Sequence, residues 1–143
     1  MERDQIGVLM DYLKISLAHK VNRLFDFYHR RGEPQVDVQS VAVVLGQKLD
    51  RQIDPDYLSE MRKGSISQNE VDQQLRNALC AFFGVDQAYL TETSGRDIDI
   101  DQRLRLWIIV RDKGLDYFAA RANGLTRVEF EALIAEVQAL PAA

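Results

Sequence analysis

A chain of 143 residues with 46% hydrophobic side chains can fill one compact core or two small ones, which excludes disorder of the whole chain. Eighteen basic against twenty-two acidic side chains give a formal charge of −4, so phosphate is not attracted by the chain as a whole and nucleic-acid contact requires a local patch. A single cysteine excludes an intrachain disulfide framework or a cysteine zinc site, and no apolar run approaches the roughly 20 residues that cross a bilayer.

The hydrophobic periodicity is helical throughout and predicts an all-α fold. Ile6, Leu9, Met10, Leu13, Leu17, Val21, Leu24, Phe25 and Tyr28 recur at three- and four-residue steps, as one helix face requires. Gly32 and Pro34 stop that helix, with His29, Arg30 and Arg31 in its last turn to offset the negative end of the dipole; phosphate contact is the other role open to these cations. A second helix is expected from the N-cap Asp37 through Leu49, with Val38, Val41, Ala42, Val44, Leu45 and Leu49 available for burial.

Asp54-Pro55 marks a third helix start, since aspartate accepts free amides and proline lacks the N–H that would go unused there. Leu58 and Met61 point inward, Asp56, Ser59, Glu60 and Lys63 point largely outward, and Gly64 ends the helix. A short capped helix of this kind, preceded by a longer one, suits the roughly 12 Å major groove of DNA. Short amphipathic helices also serve purely structural ends.

An apolar run, Leu79-Cys80-Ala81-Phe82-Phe83, then makes Cys80 a small core residue. Thr91-Glu92-Thr93-Ser94-Gly95-Arg96 is the best boundary, and residues 92–100 are expected to be a linker. Asp97-Ile98-Asp99-Ile100-Asp101 lacks the glycine and terminal glutamate spacing of a calcium loop and suits a solvated helix start. The helix bearing Leu104, Leu106, Trp107, Ile108, Ile109 and Val110 is apolar around its circumference and needs a further partner surface; Gly114 interrupts it, and a short helix is expected through Ala122. Thr126 and Glu129 form a capping box ahead of an apolar face of Val128, Phe130, Leu133, Ile134, Val137 and Leu140, which either completes a monomer's core or dimerises.

Enzymatic chemistry has little support. His19 and His29 have no partners at metal-ligand spacing, and neither a phosphate-cradling glycine loop nor a supported nucleophile is visible, so no metal, cofactor or catalytic residue is expected. The start Met1-Glu2-Arg3-Asp4-Gln5 is unlike a secretory signal, and a cytoplasmic location is expected.

Five segments carry a resemblance: Val21-Asn22-Arg23-Leu24-Phe25-Asp26, Pro55-Asp56-Tyr57-Leu58-Ser59-Glu60-Met61-Arg62-Lys63-Gly64, Phe82-Phe83-Gly84-Val85-Asp86-Gln87-Ala88-Tyr89-Leu90, Val110-Arg111-Asp112-Lys113-Gly114 and Ala119-Ala120-Arg121-Ala122-Asn123-Gly124-Leu125. In this order they resemble the EspR-like family of nucleoid-associated transcriptional regulators, in which a lambda-repressor-like (XRE-type) helix-turn-helix domain precedes a helical dimerisation domain. The first sixteen residues, expected to be an N-terminal helical extension, lie beyond the resemblance, which implies a DNA-binding domain over 17–91 and a dimerisation domain over 101–143 on either side of the linker over 92–100. It implies that Tyr57, Ser59 and Glu60 read the groove while Lys63 and Ser65 meet the backbone. Arg62 either binds phosphate or holds its helix through an internal carboxylate pair. Leu104, Trp107, Ile108, Phe130, Leu133, Ile134 and Val137 would form the homodimer contact. The implied partner is double-stranded DNA in the nucleoid, with no membrane involved. Asp56 and Glu60 place two acids on the reading surface, so the alternative is a dimeric adaptor whose degenerate helix-turn-helix meets a protein partner.

Overall fold

In the computed structural model, which describes residues 14–115, 121–122 and 124–142, the chain is all-helical, with seven α-helices and no strand among those residues. The first, α1 (Leu17–Phe27), begins where the Ser16 hydroxyl accepts the His19 N–H at 3.2 Å, satisfying an amide that the first turn leaves without a helical partner. The helix expected to run on from Ile6 is therefore interrupted. Lys14, Ile15 and Ser16 are not helical, which corrects the end of the extension assigned to 1–16; its first thirteen residues lie outside the described ones. Leu17, Val21, Leu24 and Phe25 form the buried stripe, and Lys20 is buried among them. The helix ends at Phe27, so His29, Arg30 and Arg31 stand beyond it rather than in its last turn. Arg111 supplies the cation at this terminus: its Nη1 donates to the carbonyls of Asp26, Phe27 and His29 at 2.6, 3.3 and 3.2 Å.

Asp37 caps α2 (Val38–Leu49) by accepting the Ser40 N–H at 2.7 Å, and that bond holds its carboxyl below the usual range. Val41, Ala42 and Leu45 are buried, Val38 and Leu49 partly so, while Val44, expected in the core, is largely exposed. The turn that follows is tight: a Cβ on Gly46 would lie 2.8 Å from the Arg51 carbonyl oxygen, so only glycine lets the chain double back so closely. Asp54 then caps α3 (Pro55–Lys63), accepting the Asp56 N–H at 2.9 Å, and Gly64 ends the helix at φ 90°. After a 3-10 turn over Gln68–Glu70 come α4 (Gln73–Phe83), capped by Asp72, and α5 (Ala88–Thr91). Together α1 to α5 enclose the first core, and Cys80 lies within it as expected. Burial pushes the Cys80 thiol up to about 11.

The long helix α6 (Arg96–Lys113) begins inside the span read as a linker, so 96–100 is helix. The acidic run at its start is not the solvated segment expected: Asp97 and Asp101 are 0% and 5% exposed, and Asp99 faces outward. A buried carboxylate is tolerated where a cation and hydrogen bonds compensate it. Lys20 Nζ lies 2.9 Å from Asp97 Oδ2 and donates to Gln68 Oε1 at 2.9 Å and the Glu92 carbonyl at 3.0 Å. Asp101 Oδ1 accepts from Arg23 Nε at 2.9 Å and from the Tyr89 hydroxyl at 2.7 Å. The segment before α6 is thereby fastened to α1, and Leu104 of α6 joins the first core.

The second core places Leu106, Val110 and Leu115 against Phe130, Leu133, Ile134 and Val137 of α7 (Arg127–Ala139). The capping box expected at Thr126 and Glu129 starts this helix. Asp99 and Gln102 bond to residues 127 and 131, while Lys113 reaches the carbonyls of Gln138 and Leu140, so α6 and α7 run parallel. Val128, expected on the packed face, is 81% exposed. The short helix expected between Gly114 and Ala122 lies largely outside the described residues.

Lys20→Met is expected to cost about 3–5 kcal/mol in urea unfolding, because Asp97 stays buried without its cation. Lys20→Met with Asp97→Leu should recover most of that loss; a double variant as unstable as the single would exclude the ion pair as the cause. At pH 8 native Cys80 is expected to resist a thiol-disulfide reagent and to react at once in denaturant, since both its burial and its raised pKa suppress the thiolate.

Candidate nucleic-acid interface

Two inward anchors fix the roll of α3: Leu58 and Met61 are both fully buried in the first core. With a helical repeat of 3.6 residues, that choice sends Asp56, Ser59, Glu60 and Lys63 away from it. Asp56 and Lys63 are exposed, and Ser59 and Glu60 are half-exposed. Tyr57 is half-buried and packs against the first core, so part of its ring is structural. Ser65 is exposed beyond the helix, and its N–H donates to the Glu60 carbonyl at 3.2 Å.

For Arg62 the structure shows amides in place of the internal carboxylate pair. Among the described residues no carboxylate pairs with it; its Nε donates to Asn22 Oδ1 at 2.7 Å while Asn22 Nδ2 donates to the Arg62 carbonyl at 3.0 Å. Its Nη2 donates to Gln35 Oε1 at 3.2 Å, and its guanidinium carbon stands 4.2 Å from the centre of the Phe25 ring. Partial burial lowers its pKa, although a guanidinium keeps its charge. These contacts use the planar group to clamp α3 onto α1. Arg62 is a positioning residue here, and Asn22 is the partner that sequence reasoning missed. An asparagine one residue after a core valine gave no signal of its own.

The electrostatics of the surface are mixed. Lys63 Nζ is 3.9 Å from Glu60 Oε1, both exposed to solvent, and Arg51 in the α2–α3 turn pairs with Asp72 at 2.8 Å. Exposed pairs of this kind are worth little and open readily to an incoming phosphate. In the loop after α3, Gln68 is buried against Lys20, and Ser67 gives both its N–H and its O–H to Glu70. Ser65 and Asn69 are therefore the polar groups of that loop left facing outward. A depression of about 560 Å³ over the turn is lined by Val43, Gly46, Gln47, Arg51, Gln52 and neighbouring residues. Gly46 was missed from the sequence; it shapes this turn through the space its hydrogen leaves.

The residues expected to form a dimer contact are placed differently. Leu104 lies in the first core; Phe130, Leu133, Ile134 and Val137 lie in the second; Ile108 is buried as well. Trp107 alone among the seven is exposed, at 49%. The face of α7 is thus covered by α6 of the same chain, because an apolar stripe buries itself against the nearest apolar helix before any second copy is needed. No protein-family model and no curated protein matches the chain.

Asn22→Ala removes both amide bonds to Arg62 and is expected to cost about 1–3 kcal/mol in urea unfolding. Arg62→Lys should lose a comparable amount, since an ammonium cannot stack on Phe25 and meet Asn22 and Gln35 in one plane. Full stability of the lysine variant would show that charge alone holds α3.

Proposed function

We propose that the chain is a sequence-preferring DNA-binding regulator of the helix-turn-helix type, acting by occupancy of double-stranded DNA. The observation that carries this reading is the α2–α3 pair: a nine-residue capped helix with Leu58 and Met61 inward, clamped by Arg62, follows a longer helix across a turn that Gly46 alone permits. A rigid support with polar side chains outward is what groove reading needs. Tyr57, Ser59 and Glu60 are the proposed groove contacts, with Lys63 and Ser65 on the backbone. Glu60 can accept from a cytosine amine, and Lys63, released from Glu60, meets phosphate.

The proposed regulator is a homodimer. With the inner face of α7 taken up by α6, its outward side carries Val128, Ala132, Ala135 and Ala139, all exposed and spaced by four, three and four residues. That spacing follows one helix edge and suits close packing against a second copy. Two reading heads on one duplex gain avidity where each alone is weak.

A second reading, that of a protein-binding adaptor, draws on a specific observation. Asp54, Asp56 and Glu60 make the outer surface of α3 acidic, which opposes phosphate and favours a basic protein partner. Retention of fragmented genomic DNA at two salt concentrations, with sequencing of what is held, separates the two. Recurring sites that weaken steeply with salt are expected for the regulator, because phosphate contacts release counterions. No retention at low salt by the folded protein would favour the adaptor. Ser59→Ala with Lys63→Ala is expected to weaken site binding at least tenfold without a change in thermal midpoint. Unchanged binding by the folded double variant would remove α3 from the interface. Sedimentation across micromolar concentrations should give the dimer, and a monomer throughout would remove the α7 edge from consideration.

A further inference from the structure

The outer face of α2 carries two valines in the open: Val43 and Val44 are 60% and 44% exposed. Apolar side chains scattered singly over a surface are ordinary, but these stand side by side, and a β-branched residue on an open helix face contributes neither full burial nor helix propensity. Their surroundings are equally unusual for a chain with 28% charged residues. From Val38 to Gln47 no side chain is charged, and Gln39, Ser40 and Gln47 complete the exposed face around the valines. Depletion of charge around an apolar centre is the compositional mark of an interface core. We propose that a second copy of the chain docks on this face, its own α2 lying antiparallel to the first about a two-fold axis beside Val43.

Charge placement favours a second copy over an unrelated partner. A formal charge of −4 opposes the meeting of two copies, and an uncharged helix face is where that repulsion is least. At the two ends of the neutral stretch stand Asp37 and Lys48, both exposed and of opposite sign. At about 100° per residue they share one edge of the helix, because three full turns separate them. A two-fold axis perpendicular to α2 turns the helix end for end and keeps that edge on the same side, so Lys48 of each copy comes to Asp37 of the other. Asp37 gives one oxygen to the Ser40 N–H at 2.7 Å, and a carboxylate accepts through both of its oxygens. The antiparallel arrangement also sets the positive N-terminal end of each helix beside the negative C-terminal end of the other.

Shape supports the same register. Where Asp37 lies opposite Lys48, Gln39 lies opposite Gly46, and Gly46 lines the depression of about 560 Å³ together with Val43, Gln47 and Gln52. Gln39 of each copy enters the depression of the other, where its amide meets the amides of Gln47 and Gln52. Knob and hole on one face of one molecule are what an isologous contact requires, since each copy must supply both. One helix per copy makes a small interface, and small interfaces are transient. The contact uses a different helix from the α7 edge, so dimers joined at α7 are linked onward through α2.

Cross-linking traps a transient contact. Val43→Cys places a thiol beside the axis, where its counterpart on the second copy comes within the roughly 4.4–6.8 Å between Cα atoms that a disulfide spans. Under mild oxidation the full chain carrying Val43→Cys is expected to form covalent dimers at least tenfold faster than a chain carrying Gln74→Cys, an exposed position on α4. Cys80 is buried and takes no part. Adding Lys48→Glu to Val43→Cys should slow the cross-link about fivefold, since each glutamate then faces an aspartate. Asp37→Asn, which keeps a helix cap and loses the charge, should slow it as well. Equal rates at positions 43 and 74 overturn the proposal, as does a rate indifferent to both charge variants when their thermal midpoints show them folded. A Val43→Cys chain that stays monomeric assigns the face to some other partner and overturns the second copy. The readout involves neither α3 nor the α7 edge, so its outcome is independent of DNA binding and of the α7 dimer.

Discussion

The rest of this fold depends on one buried cation. Lys20 sits at 0% exposure on α1, in line with leucine and valine, and it is held by a carboxylate on α6, an amide from the 3-10 turn and a carbonyl of the segment before α6. Removing an ammonium from water is costly, and an apolar pair of the same volume would be as stable or more so. Such a pair would also be indifferent to direction. The ammonium is satisfied only when Gln68, Glu92 and Asp97 converge on it, and with Asp101 one helical turn later joined to Arg23 and Tyr89, a single register of α6 on α1 is selected. Polar satisfaction thus sets the geometry around which the apolar contacts fill in.

That geometry bears directly on α3. The same helix α1 carries Asn22, and Asn22 holds Arg62. Phe25 supplies the ring under the same guanidinium and also packs against Phe83 with centroids 5.1 Å apart. A shift of α1 by one residue would therefore move α3 as well. The polar side chains on the outer surface of α3 owe their orientation to contacts made on its inner side. Its acids remain the strongest opposing force to a phosphate backbone, and Lys63 beside Glu60 shows how little net positive charge that surface offers.

Much of the helical scaffold was legible, because caps and core stripes leave local signatures. Asp37, Asp54-Pro55, Gly64, Gly114 and the Thr126–Glu129 box each stand where a helix begins or ends. The errors have a common cause. Asp97 and Asp101 were expected in solvent, since a charged residue considered alone is assumed to be wet, and Lys20 carries no local sign of its burial. Their burial is a property of the pair, separated by most of a domain in sequence, and no local pattern carries it. The same holds for Arg62, whose partner is an amide forty residues away, and for α7, whose apolar face looks identical whether α6 or a second copy covers it. Ser16 is the reverse case: its short side chain held a local signal for a helix start that the longer periodicity of the apolar residues outweighed.

The continuity of α6 has a consequence for how the chain comes apart. Its first half contributes Asp97, Asp101 and Leu104 to the neighbourhood of α1, and its second half contributes Leu106 and Val110 to the core with α7. At 1.5 Å per residue, its eighteen residues form a rod about 27 Å long with no break between the two cores. Melting either half frees backbone hydrogen bonds adjacent to the other, so the two cores share the loss instead of unfolding as independent bodies. The boundary that composition suggested near residue 95 is therefore bridged: Asp97 and Leu104 tie the first half of α6 to α1 and the first core, and the same unbroken helix carries the second core.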